Sequence, residues 1–183
     1  MSHDYAQPFF GSYRNITVSY LAHAEAWRLI TNPAPTFTLN YERAAVERII
    51  AESGGQPYLI QLICSEAVDQ LNHELFDLNQ ERALRITLAD IETVLGNDFF
   101  RQGTVYFDGV WTQTRDKPTA QPLLRALAQR DAPWTESDLR TANLYDEEAL
   151  TWAERHDVLR QIDGGWSFCV PLMRRFVGER RSS

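Results

Sequence analysis

Apolar residues recur at helical spacing along most of the chain, and the breaks in that spacing fall on glycine and proline. The first stretch, Ala22–Ile30, stops at Thr31-Asn32-Pro33, and Asn32–Leu39 reads as a loop because proline disfavours helix at the residue before it. Asn40 is then expected to cap a helix whose inner face is Tyr41, Ala45, Val46, Ile49 and Ile50, with Glu42, Arg43, Glu47 and Arg48 towards water. Gly54-Gly55 end that helix as C-cap glycines do, and Pro57 opens the next in the favoured first position. This next helix runs to about Leu75 and carries Ile60, Ile63, Cys64, Ala67, Val68 and Leu71 at helical spacing, widened by Leu59 and Leu62. It should form the centre of a first core. Thr87 predicts a cap for a further helix with Leu88, Ile91, Val94 and Leu95, Asp90 standing where a capping box usually has Glu. Ahead of all these, Asn15–Tyr20 is β-rich and reads as a single strand, which needs a partner to be stable.

The aromatic stretch Phe99–Arg115 reads as one bridging helix, and Asp116-Lys117-Pro118 as the boundary of a second unit. That unit begins with a helix over Thr119–Arg130, with Leu123, Leu124, Leu127 and Ala128 inward. Thr135 should cap a short helix holding Leu139 and Ala142, and Asp146 a third with Ala149, Leu150 and Ala153 inward. Glu147 and Glu148 suit the positive start of that third helix. Val158–Ile162 and Trp166–Val170 flank Asp163-Gly164-Gly165, a strong hairpin signal, and Pro171 opens a last helix with Leu172, Met173, Phe176 and Val177. The expected fold is mainly α, in three parts. Residues 1–100 make a small helical domain, 101–117 a connecting helix, and 118–183 a winged helix-turn-helix with one β-hairpin.

Composition changes this picture little: 44% hydrophobic and 23% charged residues over 183 positions are ordinary for a globular chain. Charge changes it more. The formal net charge is −7, which disfavours general affinity for nucleic acid or anionic membrane. Residues 1–103 hold 7 basic and 13 acidic side chains, and residues 104–183 hold 11 and 12, so the acidity sits in the first half. Cys64 and Cys169 lie in apolar stretches without metal-like spacing, so buried free thiols in a reducing cytoplasm are expected. No 18-residue apolar run and no signal-peptide pattern is present, so neither membrane insertion nor export is expected. His3, His23, His73 and His156 are scattered through different elements and suggest no catalytic or metal site.

Four stretches taken together, YLAHAEAWRLITNPA, ESGGQPYLIQLICSEAV, RITLADIETVL and ERHDVLRQIDGGWSFCVPLMRRFV, resemble the STAND branch of AAA+ P-loop ATPases of bacteria and archaea. The resemblance covers about residues 15–178, and its most specific piece is Gly55-Gln56-Pro57, which matches that family's GxP motif. It implies a helical lid followed by a winged helix, with Gly55 and Pro57 as nucleotide contacts and the proline against adenine. The phosphate loop GxxxxGK[ST] and a run of apolar residues ending in paired acids are both absent from this sequence. The chain alone is therefore expected to have no catalytic residues, no metal site, no cofactor and no ATPase activity. ATP or ADP with Mg would be bound by a full-length protein whose nucleotide-binding core is a partner of this fragment. In that setting the winged helix would shift between nucleotide states and act on a protein effector or through self-association.

His156-Asp157 has the letters of a family sensor pair, but it precedes the hairpin where the family's pair follows it. His156 therefore reads as a helix-end residue. The competing function is DNA binding by the winged helix, as in replication-initiator ATPases, with Arg160, Arg174 and Arg175 as the contacts. The third helix of that unit, with Glu147, Glu148 and Glu154, is poorly suited to a polyanion. Trp111, Trp134, Trp152 and Trp166 fit packing better than base stacking, since no basic surround accompanies them.

Overall fold

The structure is a computed structural model, and it describes residues 20–34, 36–96 and 98–180. The strand expected at Asn15–Tyr20 lies outside these residues except for Tyr20, which is irregular. The described chain is mainly helical with small sheets of few strands, and no helix is long and apolar enough to cross a membrane.

Helix α1 spans His23–Thr31, α2 Arg43–Ser53 and α3 Pro57–Asn72. Their inward residues Ala26, Ile30, Ala45, Val46, Ile49, Leu59, Ile60 and Ile63 are all buried. Gln56 caps α3 by accepting the Leu59 N–H at 2.9 Å, and Pro57 takes the first helical position, where its missing N–H costs nothing. The last turn of α3 widens into a π-helix over His73–Asp77. Helix α4, Leu88–Val94, starts in the expected box: Thr87 Oγ1 accepts the Asp90 N–H at 3.3 Å, and Asp90 accepts the Thr87 N–H at 2.7 Å. Arg82 reaches across to the same carboxylate at 2.7 Å and also pairs with Glu74, so the cap is tied to the end of α3.

Two expectations fail here. Asn40 does not cap α2. It lies in a short strand, β1 (Asn40–Tyr41), that pairs in parallel with β2 (Arg85–Ile86), and the N-cap is Glu42. The 99–115 stretch is not one helix. It breaks at Gly103 into α5 (Phe99–Gln102) and α6 (Thr104–Thr112), followed by a 3-10 turn over Gln113–Asp116. A side chain at 103 would start 2.5 Å from the Phe107 ring, so the break makes room for that buried aromatic.

The later elements are α7 (Ala120–Leu127), β3 (Trp134–Thr135), α8 (Glu136–Thr141), α9 (Glu147–Arg155), β4 (Leu159–Ile162), β5 (Gly165–Phe168) and α10 (Pro171–Glu179). Thr135 and Asp138 repeat the reciprocal cap, again with an arginine, Arg130, on the carboxylate. The hairpin β4–β5 turns through Asp163 (φ 51°) and Gly164 (φ 76°), the pair of left-handed residues that a tight hairpin favours. The sheet exceeds the expected hairpin, because Trp134 and Thr135 add a third strand against Trp166 and Gly165, in the order β3-β5-β4.

Buried side chains from α1 to α10 form one continuous apolar cluster. The tightest point is the Gly54–Gly55 turn, with φ of 60° and 81°. A Cβ on Gly54 would lie 2.4 Å from the Cys169 carbonyl oxygen, and one on Gly55 2.5 Å from that of Leu21. Gly164 shares the positive φ but faces open space. Gly164→Ala should therefore cost about 1 kcal/mol, the left-handed penalty alone, which at this chain length lowers Tm by roughly 2–4 °C. Gly54→Ala adds a backbone clash and should lower Tm at least twice as far. Thermal melts of the two variants check that ordering, and equal shifts would contradict it.

Several carboxylates gain their charge-stabilising partners only on folding. Burial opposes the charge on Asp90, but Arg82 and the Thr87 N–H and hydroxyl outweigh it and hold the carboxyl below the usual range. The Arg82 bond, then Gln70, does the same for Glu74. For such depressed groups the stabilisation is present above the unfolded-state pKa near ~4 and is lost as pH falls through the folded value. Urea midpoints should hold from about pH 6 down to about pH 5 and fall towards about pH 3, and Asp90→Asn should flatten that fall.

Candidate functional site

Where the start of α3 meets the turn after α9, the chain forms a half-open cavity of about 180 Å³. Pro57, Val110, Val158, Val170 and Met173 give it an apolar floor, and Tyr20, Gln56, Tyr106, His156 and Asp157 form a polar rim. Pockets for drug-sized ligands start at ~300 Å³, so this one suits a single flat ring system rather than a large molecule.

Each rim residue is held by local structure. The Tyr20 hydroxyl donates to the Asp157 carbonyl at 2.9 Å, linking the chain ahead of α1 to the turn after α9. Burial raises its pKa above the ordinary tyrosine value, with the Tyr106 charge adding to the effect. Tyr106 stacks on Tyr58 at 5.9 Å between ring centroids and meets the edge of Phe107 at 5.2 Å; burial pushes its hydroxyl up to about 12. Both phenols therefore stay neutral at neutral pH, with the Tyr20 hydrogen committed to the Asp157 carbonyl. His156 lies flat on Trp152 at 4.6 Å, with Nδ1 2.8 Å from the Trp152 carbonyl. A carbonyl only accepts, so Nδ1 carries the hydrogen and Nε2 is left for a ligand. Asp157 adopts φ 53°, which turns the chain from α9 into β4.

The predicted nucleotide contacts divide. Pro57 lines the cavity, whereas Gly55 does not: its carbonyl accepts the Leu21 N–H at 2.8 Å and its bare Cα seats that strand of chain. His156, which the sequence pattern places only as a helix-end residue, does cap α9, and it also enters the same cavity as Pro57. The sequence signal for it would have been the His-Asp pair at a tight turn. That signal gives no hint that the turn folds back over residue 57, a hundred positions earlier.

The three arginines of the competing reading have different surroundings. Arg160 is exposed on β4. Arg174 pairs with Asp131, while Arg175 donates to the Leu95 carbonyl and lies over the Phe100 ring at 4.9 Å. On α9, Glu148 pairs with Lys117, and Glu154 accepts the Trp166 indole N–H at 2.7 Å. An open groove beside it, lined by Glu147, Trp152, Arg155 and His156, carries both signs of charge. Among the described residues no group of three or more His, Cys, Asp or Glu side chains could hold a metal ion.

Cys169 sits one residue from the cavity lining, and burial pushes its thiol up to about 11, with Arg160 pulling weakly the other way. Burial raises Cys64 to about 11 as well, against a hydrogen bond from Tyr41. A rise of about two units cuts the thiolate fraction, so at pH ~8 both should react with iodoacetamide roughly a hundredfold slower than a free cysteine. Mass spectrometry of labelled native and urea-unfolded protein checks this, and fast native labelling of either thiol would contradict the burial. No protein-family model matches the chain, and no curated protein matches it.

Proposed function

We propose that this chain is a non-catalytic regulatory unit, the lid and winged helix of a STAND-type ATPase, and that its cavity takes the base of an adenine nucleotide. One observation carries the reading. The proline of Gly55-Gln56-Pro57 lines a ring-sized cavity that is apolar in part and also offers donors and an acceptor. Pro57 and Val158 give flat and branched apolar surface for the faces of a base. Gln56 keeps its amide N–H donors, because only its oxygen is engaged at the start of α3, and His156 Nε2 can accept from an exocyclic amine. The element order α7-β3-α8-α9-β4-β5, helix-strand-helix-helix-hairpin, supports a winged helix.

Phosphates and Mg are a different matter. The sequence offers no phosphate loop, so a core carrying one would hold the triphosphate while this unit holds the base and relays nucleotide state to a protein effector or another subunit. DNA contact draws no support from α10, where Arg174 and Arg175 are engaged within the chain.

Saturation-transfer NMR with adenosine and with ATP tests the proposal. Adenosine should show saturation at its two ring protons and bind with Kd of roughly 1 mM, about −4 kcal/mol. ATP should bind within about threefold of adenosine, since a triphosphate gains nothing here. Val110→Glu, on the half-buried lining, should remove the signal while leaving the amide spectrum folded. Absence of an adenosine signal, ATP binding far tighter than adenosine, or release of phosphate from ATP would each sink the reading.

A further inference from the structure

The sequence divides at about residue 118, yet the last helix does not stay with its own half. Helix α10 packs against α2 as well as α7. Its Phe176 ring stacks on Phe107 at 5.2 Å and meets Phe100 edge-on at 5.5 Å, so one aromatic of the second half completes a cluster of the first. Arg175 donates to the carbonyl of Leu95, the residue that ends α4, and covers the Phe100 ring. Arg180 pairs with Asp108 on α6 and lies over Trp111 at 5.6 Å. The strand leading into α10 touches the other half too, since Gly54 has room only for hydrogen beside the Cys169 carbonyl. In the cavity lining itself, Tyr20 bonds the Asp157 carbonyl.

These contacts differ in kind, and they are spread over several elements rather than gathered at one point. Aromatic packing, a charge-assisted bond to a helix-end carbonyl, an ion pair and a backbone close approach all act between the same two halves. A hinge needs a place where few contacts cross. Among the described residues the 116–120 connection is short, and the helix after it is covered by α10.

We infer that α10 is an internal clasp that fixes the two halves as one cooperative body, so that the cavity between them is preformed and whatever a ligand moves, it moves the pair together. The inference stands whether or not the cavity takes a base. It replaces independent motion of the second half by rigid transmission. A preformed cavity also needs no closing step, so its apparent affinity is not reduced by an open population.

Native-state hydrogen exchange in a low-urea series, on the full chain without ligand, tests the clasp. In the unaltered protein, the protected amides of α3 and of β4–β5 should converge on one opening with one urea dependence. The double variant Arg175→Gln, Asp108→Asn removes the carbonyl bond and the ion pair with little change in volume. In it, β4–β5 amides should exchange at least about tenfold faster than those of α3, through an opening with the smaller urea slope of a half-molecule. Phe176→Ala should act in the same direction and further. Two results would overturn the inference: a separate, shallow-slope opening of β4–β5 in the unaltered protein, or acceleration of both halves by the same factor in the double variant.

Discussion

The turn at Gly54–Gly55 positions several separate parts of this molecule. Three backbones meet there: the segment entering α1, the link between α2 and α3, and the segment leading into α10. Two consecutive residues must take a left-handed conformation, and each must present no Cβ to a carbonyl 2.4–2.5 Å from where that atom would be. Only glycine meets both demands. The turn sets the angle at which α3 begins, and so where Pro57 stands. By admitting Cys169, it also sets where Val170 and Met173 come to rest opposite. The cavity is the space left over once that three-way junction is closed.

Signals confined to three or four residues were legible in the sequence. Thr87 with Asp90, Thr135 with Asp138, Pro57 after a glycine pair and Asp163-Gly164 between two strands each contain both partners of the interaction they predict. What the sequence hid was pairing at a distance. Asn40 is a good cap by type, but Arg85, forty-five positions on, holds it in a strand instead. Trp134 and Thr135 form a strand only because Trp166 and Gly165 are there to receive them. Gly103 breaks a stretch whose apolar content reads as continuous helix, for the sake of a ring four residues later. Half of the cavity belongs to the same class. Pro57 could be named from its motif, whereas His156 joins it only through the packing of the two halves.

Arginine plays a consistent part throughout. The sequence shows an acidic first half, and it offers Arg174 and Arg175 near its end as contacts for DNA. In the fold these arginines act as ties. Arg82 joins α3 to the cap of α4, Arg130 steadies the cap of α8, and Arg174, Arg175 and Arg180 each reach a group on another element. A guanidinium suits this work because its planar fork can donate to a carboxylate or carbonyl while its face lies on an aromatic ring. Several guanidinium groups of the second half are thus engaged within the chain, while Arg160 stands exposed on β4.

The two-residue rung between β1 and β2 bears on how the chain assembles. Its strands run parallel, and the whole of α2 and α3 lies between Asn40 and Arg85. Such a rung closes a long loop for very few hydrogen bonds, so loop entropy disfavours it until those helices have docked. The rung is then a late seal rather than a nucleus. It carries the Ile86 carbonyl to the Glu42 N–H at 2.8 Å, and so completes the first turn of α2 only after the core beneath has condensed.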